Sequence, residues 1–287
     1  MRGLYKILLI VAGSIALYSC KSDEPIENRP TLVVEGWIED GMPPVVILTK
    51  TLNFSTELTP LTDIEDYIIK WAKVSVSDGN KTVVLTGKYA PEYFPPYIYT
   101  TGHMLGQAGR TYSITVEYDN FHATAQTSIP EPPDVKDYRV VPSAQNDTLY
   151  QIEVLLQDNN PETDYYQAFV KNKVKSKQYL SAYMGSFNDD ILSIGTYIPI
   201  FNGVEAIVEK FSPFYTKNDS ISVKIAHIDH HSYEFWDQYS KNVQMPSNMF
   251  LTSVSWIPTN ITGGIGYWCG MGCWYKNIAI SDYISTK

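Results

Sequence analysis

GRTYSITVEYDNFHATAQTSIPEPPDV, residues 109–135, decides how the chain is read. Tyr112, Ile114 and Val116 alternate with Thr111, Ser113 and Thr115. A period of two puts the first set on one face of a strand and the second on the other. Asp119-Asn120 supplies a turn, and a second strand returns to Ile129. Three prolines then fall within four residues, at 130, 132 and 133. Proline has no N–H to give to a ladder, so a central strand cannot continue through this stretch. The segment therefore predicts a β-hairpin followed by a stiff linker, and hence a β-domain on each side.

Working outward, TLVVEGW (31–37) and PVVILTK (44–50) are β-rich and separated by a Gly-Met-Pro-Pro turn. AKVSVSDGNKTVVLTG (72–87) predicts another hairpin, turning at Asp78-Gly79. Beyond the linker, strands are expected at 149–158, 165–174 and 220–229, with an aromatic-rich pair near the end. HSYEFWDQYSKNVQ (231–244) breaks the pattern. Tyr233, Phe235, Trp236, Tyr239 and Val243 recur at mostly three- to four-residue spacing, which predicts one helix with Asp229 or Ser232 as its cap. The fold expected is all-β: two tandem β-sandwiches of immunoglobulin or fibronectin-III type, over 31–130 and 135–287, with a helix near 231–244 in the second.

The first 19 residues combine Arg2 and Lys6, an apolar run from Ile7 to Tyr18, and a small Ser19. That is the layout of a secretory signal peptide, and the run is too short to span a bilayer. Leu17-Tyr18-Ser19-Cys20 resembles a bacterial lipobox, so Cys20 is the expected lipidation site and 20–30 a lipidated tether. The acidic pair Asp23-Glu24 within it resembles the surface-export signal of Bacteroidota lipoproteins. The whole chain carries a formal charge of −9. This excludes the basic footprint that nucleic acid requires and gives no attraction to anionic lipid, leaving anchoring to the acyl chains.

Four stretches occur in a telling order: LVVEGWIEDGMPPVVILTKT, GRTYSITVEYDNFHATAQTSIPEPP, DNNPETDYYQAFV and PTNITGGIGYW. With the lipobox they resemble the Bacteroidota lipoproteins grouped as domain of unknown function 4249. The resemblance implies an outer-membrane lipoprotein encoded beside a TonB-dependent receptor; with the acidic export signal, the expectation is a lipid-anchored protein that faces the cell exterior and is accessory to that receptor. That family has no established catalytic residues to carry over.

Three stretches could carry chemistry. His227, Asp229 and His231 in HIDHH would share one side of a strand, and imidazole with carboxylate suits zinc. The competing reading makes Asp229 a helix cap and leaves the histidines in an exposed first turn. ITGGIGYWCGMGCWYK (261–276) holds Cys269 and Cys273, the pair left after Cys20. An even pair in a secreted chain predicts a disulfide, which needs a turn at Gly270-Met271-Gly272. The hairpin tip would present Tyr267, Trp268, Trp274 and Tyr275 to a ligand or receptor, or pack them into its own sandwich. PEYFPPYIYTTGHM (91–104) offers Tyr93, Phe94, Tyr97 and Tyr99 in the same two ways. No nucleotide-binding or serine-hydrolase motif is present, and no cofactor is expected. The expected function is non-enzymatic: binding a small nutrient, or covering a receptor's mouth. An envelope assembly or adhesion module without a soluble ligand is the alternative, and a glycan or peptide hydrolase a more distant one.

Overall fold

The computed structural model describes residues 30–51, 65–157, 162–176, 178–191, 196–204, 211–244 and 257–284. The expected signal peptide, Cys20 and all of the tether except Pro30 lie outside these residues. Among them, no helix is long and apolar enough to cross a membrane.

The centre is one eight-stranded sheet. Its order is β12 (Leu180–Asn188), β11 (Tyr165–Asn172), β15 (Ser220–Ile228), β16 (Ile265–Ala279), β1 (Leu32–Glu39), β2 (Val45–Lys50), β6 (Tyr97–Thr100) and β5 (Thr86–Tyr89). Two smaller sheets cover one of its faces. The first runs β4 (Thr82–Val84), β3 (Lys73–Ser77), β7 (Thr111–Tyr118) and β8 (Phe121–Ser128). In the second, β10 (Leu149–Leu156) pairs with β9 (Val135–Pro142), β13 (Tyr197–Ile200) and β14 (Tyr215–Thr216). Helix α1 (His230–Gln244) lies on the opposite face.

Both expected hairpins form. Tyr112, Ile114 and Val116 are buried, and the Asp119 backbone adopts a positive φ of 51° in the turn to β8. Val74 and Val76 face the same core as Leu32, Val34, Val46, Leu48 and Trp268. A second core joins Ile152 and Val154 to Val170, Val223, Ile225 and Ile278. The sandwiches are therefore real, but the expected division at 131–134 does not separate them. β16 belongs to both. Residues 265–271 pair in parallel with β1, and residues 272–279 pair antiparallel with β15. The long sheet passes from one sandwich into the other through this strand.

The side chains of β16 alternate accordingly. Trp268 points into the first core and donates its Nε1–H to the Tyr112 carbonyl at 3.0 Å. Tyr267, Cys269 and Met271 point the other way, toward α1. The glycines between them serve close packing rather than a turn. A Cβ on Gly270 would lie 2.3 Å from the Ser128 carbonyl oxygen, and one on Gly272 would lie 2.2 Å from that of Pro130. Bare backbone here lets the end of β8 and the proline segment lie flat on the strand. That is why 261–276 is not a hairpin.

Candidate functional site

The face of the long sheet beside α1 buries a charged pair. Glu39 is the last residue of β1 and Lys224 sits mid-way along β15. Lys224 Nζ donates to Glu39 Oε1 at 2.9 Å, with the two side chains only 7% and 10% exposed. Tyr275, on β16 between them, donates its hydroxyl to Glu39 Oε2. Burial pushes the Glu39 carboxyl upward, but the Lys224 charge and the Tyr275 bond outweigh it and hold the group below its usual range. Burial lowers Lys224, and Glu39 more than restores it, leaving the ammonium above its usual range. The same ammonium lies 4.4 Å from the Phe169 ring and 5.2 Å from Tyr179. It is thus held by one carboxylate and two aromatic faces.

A groove of about 300 Å³ opens next to this cluster. Pro91, Glu92, Tyr93 and Phe94 form one wall; Lys175, Ser176, Gln178 and Leu180 form the other. The first wall is the loop between β5 and β6, folded back over the sheet so that Tyr93 meets Trp37 at 6.0 Å. Phe94 is 64% exposed and Tyr93 half-buried. Burial pushes the Tyr93 hydroxyl upward, with the charges of Glu92 and Glu39 adding to it. On the second wall Lys175 is tied to Asp219 at 2.9 Å, which fixes its direction. Tyr179 meets Tyr275 edge-on at 6.2 Å. Aromatic faces, a few polar side chains and a charged pair set beneath them can stack on and orient a small ligand.

The expected site residues scatter. Tyr93 and Phe94 stand together at the groove, but Tyr97 and Tyr99 turn away, donating to the carbonyls of Lys70 and Ile69. Trp268 is fully buried and Tyr267 nearly so, Trp274 packs on Tyr138 at 6.4 Å, and only Tyr275 is substantially exposed. The reading of these four as a presented tip is corrected: alternation along one strand sends neighbours to opposite faces. The disulfide is corrected too. Cys269 and Cys273 are free thiols within one continuous strand, where positions four apart stand about 13 Å apart. Burial pushes Cys269 well up and Cys273 up to about 12, so neither is a ready thiolate.

The metal reading of HIDHH dissolves in the same way. His227 Nδ1 meets the Glu131 carbonyl at 2.8 Å, and its Nε2 lies 3.3 Å from Asp164. Asp229 caps α1, accepting the Ser232 N–H at 2.8 Å and the Thr127 hydroxyl at 2.9 Å. His231 faces solvent on α1, where His230, His231 and Glu234 bring ligand atoms within 4.8 Å of one another.

The sequence of one family, described as a domain of unknown function (DUF4249), matches residues 18–272. The chain belongs to the DUF4249 family. Among curated proteins none matches it. Within this DUF4249 chain, sequence reasoning missed Glu39 and Lys224. In SISVKIAHI, Lys224 falls in phase with Ser220 and Ser222, so alternation alone marks it as a surface charge.

Proposed function

We propose that this chain is a lipid-anchored outer-membrane protein facing the cell exterior. It acts without catalysis beside a TonB-dependent receptor and holds a small nutrient in the groove between residues 91–94 and 175–180. The observation that carries this reading is the groove itself: Tyr93 and Phe94 on one wall, Lys175 and Gln178 on the other, above the fixed Glu39–Lys224 pair. The lipobox at Cys20 and the family resemblance support the location and the receptor. Rigid aromatic side chains give contact area at low entropic cost, which suits a binding surface.

The test is purification of the acylated protein from its own outer membrane in mild detergent, with mass spectrometry of whatever accompanies it. A stoichiometric TonB-dependent barrel supports the reading, and Phe94→Ala combined with Tyr93→Ala should weaken nutrient capture at least tenfold while leaving folding intact. A protein that comes alone, or with adhesion factors, would refute the transport role.

A further inference from the structure

Exposed aromatic side chains also stand at the end of the first sandwich where the chain enters β1. The strand register fixes that end. Leu32 pairs with Lys50, Thr31 and Thr51 exchange hydrogen bonds, and Ile68 bridges Thr49. Val33 pairs with Ile265, and the Lys50 ammonium lies 5.4 Å from the ring of Tyr118, next to the β7–β8 turn. Trp71 follows Ile68 by three residues and is 86% exposed, the most exposed large apolar side chain among the described residues. Tyr89 is 70% exposed and pairs with Tyr97, whose hydroxyl reaches the Lys70 carbonyl beside Trp71. Ile265 adds a third side chain, 41% exposed.

Chain length says what lies opposite this end. Ten residues separate Cys20 from Pro30, so an acylated Cys20 can stand no more than about 35 Å from the start of β1. Ile68 is two strands, about 10 Å, from Val33, and Trp71 is three residues further. The aromatic corner is therefore within reach of the same bilayer that the acyl chains enter. Tryptophan and tyrosine favour the headgroup layer, where the ring is half-dehydrated and its polar edge stays wet. With a net charge of −9, the chain has no overall electrostatic attraction to an anionic surface, so these rings are the attractive element.

We infer that the Trp71–Tyr89–Ile265 end is a membrane-resting surface that sits on the phospholipid headgroups. This rests on the lipid anchor in the reading above. The test uses the full acylated protein in phosphatidylcholine vesicles whose acyl chains are brominated just below the headgroup. Wild-type protein should float with the vesicles and show a quenched, blue-shifted emission component that is absent from Trp71→Phe. Adding Tyr89→Trp to Trp71→Phe should restore the quenching. If the protein floats and the three forms are quenched alike, the membrane-resting surface is overturned and the anchor stands. If it does not float, the anchor falls and this inference falls with it.

Discussion

Replacing Lys224 with methionine tests the polar cluster most directly. Methionine fills a comparable volume and keeps contact with Phe169, but it leaves Glu39 buried with no cation and with the Tyr275 hydroxyl and the Cys273 thiol as side-chain donors. Removing one partner of a buried pair costs roughly 3–5 kcal/mol, because the surviving charge is uncompensated. At about 2–4 °C per kcal/mol for a chain of this size, that lowers Tm by roughly 6–20 °C. Replacing both partners, Lys224→Met with Glu39→Leu, removes the orphaned charge and should recover most of the loss. The pH dependence gives a second and sharper readout. In the wild type Glu39 titrates below its ordinary 4.5, so its contribution is present above pH 4.5 and is lost as pH falls through the folded value. Lys224 titrates above 10.5, so its contribution is present below pH 10.5 and is lost as pH rises through the folded value. The pair therefore supports the fold between those limits. In Lys224→Met, burial acts on Glu39 without the opposing charge, its folded value rises, and stability should fall as pH climbs past 4.5. Urea unfolding followed by tryptophan fluorescence across pH measures both effects. A single variant as stable as wild type, with an unchanged slope below pH 5, would refute the buried pair.

Other outcomes follow from the same geometry. Burial holds the Glu35 carboxyl above its usual range despite a 3.0 Å bond from Tyr267, so its ionisation destabilises the fold as pH rises above 4.5. Glu35→Gln should raise the neutral-pH Tm and flatten that dependence in a thermal scan. Trp268→Ala empties the first core and strands the Tyr112 carbonyl, at a cost of about 3–5 kcal/mol by chemical denaturation. Cys269 and Cys273 should resist a thiol reagent in the native protein, react fully in denaturant, and give a Tm indifferent to reductant; a reductant-sensitive Tm would contradict the separated thiols.

Sequence patterns revealed what is local. The alternation through 111–116, the Asp78-Gly79 and Asp119-Asn120 turns, and the helix capped by Asp229 all depend on neighbours a few residues apart. They appear in the structure as read. What stayed hidden depends on which strand lies beside which. The pairing of β1 with β16 crosses nearly the whole chain, and no local period encodes it. The Gly-rich 261–276 stretch misled for that reason. Glycine serves a turn and a tight backbone contact equally well, and only the approach of Ser128 and Pro130 tells them apart. Glu39 and Lys224 likewise look like surface charges until β15 and β1 are placed on either side of β16. Of the groove, one wall was legible as the proline-rich aromatic segment around Tyr93 and Phe94. The other wall has no marked composition and becomes visible only through the sheet.

The strand shared by both sandwiches has a consequence for how the protein is made. Glu35 and its partner Tyr267 are 232 positions apart, so β1 leaves the ribosome long before the strand it must sit beside. Neither half can finish its sheet during synthesis, because both wait for the same late segment. The last strand to emerge is therefore the one that closes both sandwiches, so their folding is coupled to the completion of residues 265–279.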